Sequence, residues 1–183
     1  MSKTIHYCLL LLHSIAASSL QCFGKLSDFL QGFVMTIRKI SEKILHGLSI
    51  RTDNETEMSA DKGKIGTLWQ QFDKAVDVDY KSGERVYGVY FDYESDASGQ
   101  FTVLAGFDGK SFPTSIPLQK VVIRAGQYLV FKHKGEMPQI AIDGWTEVWN
   151  YFANPEVKHQ RAYSTDFEFY PNHNEIEIHI AIK

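Results

Sequence analysis

Two carboxylates near the end of the chain, Glu168 and Glu177, have the surroundings best suited to chemistry. Each lies in a strand-like stretch with a polar or aromatic residue two positions on. In Asp166-Phe167-Glu168-Phe169-Tyr170, strand alternation puts Glu168 and Tyr170 on one face and the two phenylalanines on the other. In Glu175-Ile176-Glu177-Ile178-His179-Ile180-Ala181-Ile182, the four isoleucines share a face opposite Glu175, Glu177 and His179. If the phenylalanines lie on the helix-packed side with the isoleucines, Glu168, Tyr170, Glu177 and His179 all point away from it. Such a face is either a solvated strand surface or one wall of a binding site. A carboxylate among aromatic rings suits a cationic aromatic ligand, because each ring adds about 0.5–2 kcal/mol of cation–π attraction. The carboxylate supplies the counter-charge, which counts for more where water is excluded.

The elements that must hold these residues are written twice. Ile65, Leu68, Trp69, Phe72 and Val76 recur at helical spacing, as do Ile142, Trp145, Val148, Trp149 and Phe152. Each helix follows an extended segment, Thr36 to Thr52 (bent near Gly47) and Lys120 to Lys132, and each precedes two strands. Trp69 and Trp149, Phe72 and Phe152, and Tyr90 and Tyr170 are all 80 positions apart. The expected fold is α+β: a tandem β-α-β-β repeat, residues 36–110 and 119–183, with pseudo-two-fold symmetry. Antiparallel sheets, two packed helices and a cleft between the repeats complete it. Gly88 is the counterpart of Glu168 and leaves room beside that carboxylate. Trp69 and Trp149 read as core, and Trp145, at the expected start of the second helix, as a pocket residue.

Composition narrows the function. The 183 residues carry a net charge of −3 with Lys and Arg scattered, which argues against direct binding of nucleic acid. The only cysteines are Cys8 and Cys22, and the seven histidines have no ligand spacing, so neither a metal nor another cofactor is expected. Phosphate-loop, dinucleotide, zinc-protease and nucleophile-elbow motifs are absent from the sequence. Residues 1–34 form a separate N-terminal extension. Tyr7 to Ala17 is an apolar run after Lys3 that reads either as a signal-like segment or as an extension upstream of Met35. It is too short to span a bilayer. Residues 35–183 are then a single domain in the cytoplasm, or exported if residues 1–20 act as a signal peptide.

The duplicated order, Leu68-Trp69-x-x-Phe72, Asp166 to Tyr170 and Ile176-Glu177-Ile178-His179-Ile180 together resemble the GyrI-like effector-binding domains. These are the ligand-sensing parts of AraC-type and MerR-type drug-responsive regulators. The resemblance runs from about Thr36 to Lys183. It implies an effector-binding domain over residues 35–183, with a cleft between the repeats for hydrophobic, often cationic compounds. In that cleft Glu168 would neutralise the ligand, Glu177 would be a second acidic residue, and Tyr90 and Trp145 would be aromatic positions; Tyr170, His179 and Trp69 complete the expected ligand site. A tyrosine is common in the family where His179 stands. The 35 or so residues ahead of the domain are too few for the DNA-binding module that such regulators carry. The expectation is therefore a stand-alone binder of small cationic or aromatic ligands, linked to transcriptional regulation or drug response. A protein-interaction module acting like a gyrase inhibitor, a homodimer, and a hydrolase of reactive compounds using Glu168 as base or nucleophile are the alternatives.

Overall fold

A computed structural model describes residues 35–59, 61–113 and 116–183; the signal-like segment and both cysteines lie outside them. In chain order the elements are β1 (Thr36–Ile40), β2 (Lys43–Thr52), α1 (Asn54–Met58), α2 (Ile65–Ala75), β3 (Val86–Phe91) and β4 (Phe101–Phe107). There follow β5 (Gln119–Ile123), β6 (Gly126–Lys134), α3 (Gln139–Ala153), β7 (Thr165–Asn172) and β8 (Glu175–Ala181). No described helix is long and apolar enough to cross a membrane.

The strands form one antiparallel sheet rather than separate ones, in the order β1-β6-β8-β7-β3-β4-β2-β5. That order is symmetric about the β7–β3 pair, so the repeat is present, with an exchange. Each repeat gives its first strand to the other half: β1 pairs with β6, and β5 with β2. The extended segment Thr36–Thr52 is therefore two strands, broken at Ser41–Glu42 and not at Gly47. Its counterpart breaks at Arg124–Ala125. Gly47 lies within a continuous β2, opposite Gly106 on one side and Gln119 on the other. Glycine is required there by close approach, since a Cβ would run into the Ala105 carbonyl. Because two-residue links join strands lying far apart in the ladder, the sheet has to curl.

The curl leaves two apolar layers. On the outer face, α2 packs on β2 and β4 and α3 on β6 and β8, leaving the central β3–β7 pair between the helices. Trp69, Phe72, Phe107, Phe131, Val148 and the β8 isoleucines fill this layer. Inside the curl, Leu45, Tyr87, Val89, Leu104, Tyr128 and Phe167 make a second layer. The polar stretch Asp53–Lys64 contains α1, started by the Asp53 side chain accepting from the Thr56 amide at 2.7 Å.

Candidate functional site

Register decides which side chains meet. In the β3–β7 ladder Gly88 stands directly opposite Glu168, Tyr90 opposite Asp166 and Val86 opposite Tyr170. Gly88 and Glu168 are also repeat counterparts, so the pseudo-two-fold axis passes between them. A Cβ at position 88 would collide with Glu168 Oε2 and press within 3.3 Å of the Trp69 ring. The missing side chain is thus the space the carboxylate occupies.

Glu168 is 1% exposed. Tyr90 Oη donates to its Oε1 at 2.9 Å, Trp145 Nε1 to the same oxygen at 2.6 Å, and Tyr170 Oη to Oε2 at 2.7 Å. Burying an ion of this size costs several kcal/mol, whereas each hydrogen bond to a charged group returns about 1.5–3 kcal/mol. Burial prevails: the Glu168 carboxyl is pushed above its ordinary range, and the three donors pull it only part of the way back. All three donors are neutral.

Two of the Glu168 donors, Tyr90 and Trp145, form part of the wall of an aromatic cavity of about 790 Å³ including its open mouth, and Glu168 itself lies behind them and not on the wall. Tyr90, Trp145, Trp149, Tyr93 and Phe101 supply rings, with Tyr90 and Trp145 edge-to-face at 4.9 Å. Ile65 and Met58 line it from one repeat, and Ala141 and Ile142 from the other. Arg161 is a cation on the wall, but Asp166 accepts from its Nη2 at 2.7 Å and its Nε at 3.0 Å. Burial opposes the Arg161 charge; the Asp166 carboxylate overcomes this and raises the guanidinium pKa. Tyr93 Oη donates to Asp166 at 2.8 Å, closing the network. The second carboxylate at the cavity, Glu57, is 4% exposed and accepts from Thr52 Oγ1 at 2.6 Å and from the Lys64 and Ile65 amides at the start of α2. Glu57 too has only neutral donors, but two of them are backbone amides at the start of α2, where the helix dipole offsets its charge, whereas Glu168 is held by side chains alone behind Tyr90 and Trp145.

Of the residues singled out in the sequence, Glu168, Tyr90, Tyr170 and Trp145 come together. Trp69 is core, edge-on to Tyr170 at 5.8 Å and not part of the cavity wall. Trp149, expected in the core, is half-buried and lines the cavity. Trp145 is well inside α3, because that helix begins at Gln139 and not near Ile142. The face assignment is corrected. Glu168 pairs with Ile178 and so shares the helix side with the isoleucines, whereas His179 pairs with Phe167 and Glu177 with Phe169. Glu177 and His179 therefore point into the curl, on the opposite side of the sheet from Glu168. Glu57 and Arg161 escaped the sequence reading, since charges in polar loops give no sign of burial. Tyr93 and Phe101 carried only the general excess of aromatic residues.

Among the described residues no cluster of His, Cys, Asp and Glu could hold a metal. Residues 36–182 match the family model described as Cass2, integron-associated effector binding protein. A crystal structure of an integron cassette protein from the mobile metagenome of Vibrio cholerae is 41% identical, with a TM-score of 0.73 over 82% of this chain and 97% of that one. A protein solved bound to tetraphenylphosphonium is 16% identical, TM-score 0.60, over 82% and 94%. The C-terminal domain of EcmrR is 12% identical, TM-score 0.51, over 82% and 98%. These last two likenesses establish the fold alone. No curated protein matches the chain.

Proposed function

Because the chain belongs to the Cass2 family of integron-associated effector binding proteins, a GyrI-like family, we propose that it takes up cationic aromatic or amphipathic compounds in the aromatic cavity walled by Tyr90 and Trp145. Glu168 is the counter-charge, and Tyr90, Tyr170 and Trp145 orient it. The observation that carries this reading is a fully buried carboxylate held by neutral side chains alone, two of which, Tyr90 and Trp145, are themselves part of the aromatic wall. Its negative charge is stabilised locally but not cancelled, so a cation brought close gains attraction in a medium where water screens little. That a protein of the same fold was solved with tetraphenylphosphonium fits this chemistry.

The test is quenching of tryptophan fluorescence, reported by Trp145 and Trp149, with three probes of similar shape. Tetraphenylphosphonium is cationic, triphenylphosphine oxide neutral and tetraphenylborate anionic. Saturable quenching by the cation, weaker by about tenfold or more in Glu168→Gln, is the expected result, equivalent to about 1.4 kcal/mol. Equal affinity for the three probes, or for wild type and Glu168→Gln, would remove Glu168 from the role.

A further inference from the structure

On the other side of the sheet, the inside of the curl opens beside the Ser41–Glu42 link into a second cavity. It measures about 500 Å³ including its mouth. Its chemistry is the reverse of the first. Glu177 accepts from Arg38 Nη1 at 2.9 Å, Lys132 Nζ at 2.5 Å and His179 Nε2 at 3.2 Å. Contact with His179 and then with Lys132 and Arg38, working against burial, holds the Glu177 carboxyl down at about 2. An ionised carboxylate has no proton to give, so in that contact the proton sits on His179 Nε2. Burial lowers the His179 pKa below its ordinary value against the pull of Glu177, which favours the neutral ring. Its Nδ1 is thus a bare acceptor.

That Nδ1 is buried with no hydrogen-bond partner, on a residue 3% exposed that lines the cavity. The ring is fixed flat against Phe167, centroids 4.2 Å apart and 13° from parallel. An orphaned acceptor in such a rigid place costs stability and calls for a donor. Phe169 and Tyr87 add aromatic surface. At the rim, Arg38 and Lys43 have 41% and 43% of their side-chain surface exposed. Lys43 reaches Asp108 at 2.8 Å and lies 5.1 Å above the Tyr87 ring. Among the residues that line the cavity, the two cations Arg38 and Lys43 face one carboxylate, Glu177, so one positive charge is left over.

We propose that this second cavity is a binding site for small aromatic anions that also carry a hydrogen-bond donor, that is, hydroxy-substituted aromatic carboxylates. The carboxylate meets Arg38 and Lys43 at the rim, the ring lies among Phe169 and Tyr87, and the hydroxyl donates to His179 Nδ1. A cation is disfavoured, because the one carboxylate lining this cavity already has three donors. The site is independent of the Glu168 cavity.

The probe is 4-hydroxybenzoate, titrated into the full chain while the imidazole nitrogens of His179 are followed by nitrogen-15 NMR. The proposal expects saturable binding, a shift of the Nδ1 resonance, and affinity about tenfold weaker for benzoate, for 4-hydroxybenzyl alcohol and in Arg38→Met. Glu168→Gln and saturating tetraphenylphosphonium should leave it unchanged. His179→Phe keeps the stacked ring and should abolish the difference between 4-hydroxybenzoate and benzoate. No saturation up to about 10 mM, or affinity unaltered in both Arg38→Met and His179→Phe, would overturn the assignment. So would competition between 4-hydroxybenzoate and tetraphenylphosphonium.

Discussion

Glu168 and Glu177 lie on adjacent strands of one sheet, yet the protein treats them in opposite ways. Glu168 faces the helices and is surrounded by two phenols and an indole; Glu177 faces into the curl and is held by Arg38, Lys132 and His179. Both are hydrogen-bonded several times over, so counting hydrogen bonds does not separate them. Charge does. Neutral donors orient a carboxylate and leave its field in place, whereas cationic donors cancel it. The proton affinities differ too: burial raises Glu168, whereas the hydrogen bond from His179, and then Lys132 and Arg38, bring Glu177 to about 2. A carboxylate of the first kind attracts a passing cation; one of the second kind holds a frame together.

The sharpest way to break this contrast is to make the same substitution on both sides. Glu168→Gln should weaken tetraphenylphosphonium binding by about thirtyfold, roughly 2 kcal/mol, whereas Glu177→Gln should leave it within error by calorimetry. Gly88→Ala follows, placing a methyl group where the Glu168 carboxylate sits. Overpacking of this kind costs about 1–3 kcal/mol, read as a lower midpoint in urea together with weakened cation uptake.

The two carboxylates should also pull stability in opposite directions with pH. The fold raises the pKa of Glu168, so its stabilising share is present below the unfolded value of 4.5 and declines as pH rises from there toward the folded pKa. Glu177 is depressed, so its share is present above 4.5 and is lost as pH falls from 4.5 to about 2. With Arg38 and Lys132 partly in solvent, the Glu177 effect is of order 1 kcal/mol. Urea melts from pH 7 down to pH 3 should show Glu177→Gln flattening the acid loss and Glu168→Gln stabilising the empty protein at neutral pH. The smallest expected change is in Trp145→Phe, which keeps a ring but drops one donor to Glu168. Cation affinity should fall by about threefold, with proton release on binding increased when titrations are compared in two buffers.

Much of this arrangement was legible in the residues. The constant offset of 80 revealed the repeat, and with it the juxtaposition of Gly88 and Glu168 and the flanking pair Tyr90 and Tyr170. What did not follow was the sidedness of β8. Alternation says which residues share a face within a strand, but the register between strands says which faces coincide, and a slip of one residue reverses every side chain. Phe167 aligns with His179, not with an isoleucine, and that single fact divides the expected acidic face between the two sides of the sheet. Gly47 misled for a related reason: a glycine demanded by a neighbouring backbone looks in sequence like one demanded by a bend. Arg161 is packed in part against Tyr93, 68 positions earlier, a contact no local pattern contains, whereas the donors to Glu57 all lie within eight positions and its polar neighbourhood still gave no sign of burial.

The exchange of first strands between the halves means that neither repeat is a complete object by itself; each is missing one edge that only the other supplies. Two separate copies of one repeat could satisfy that need as a symmetric pair, but the residues meeting on the axis would then be identical. Glycine facing glycine would leave a hole with no charge, and glutamate facing glutamate would force two carboxylates into the space of one. Joining the repeats in a single chain releases the axis from that identity. One copy can contribute the charge and the other the room for it, a division of labour at position 88 and position 168 that exact symmetry forbids.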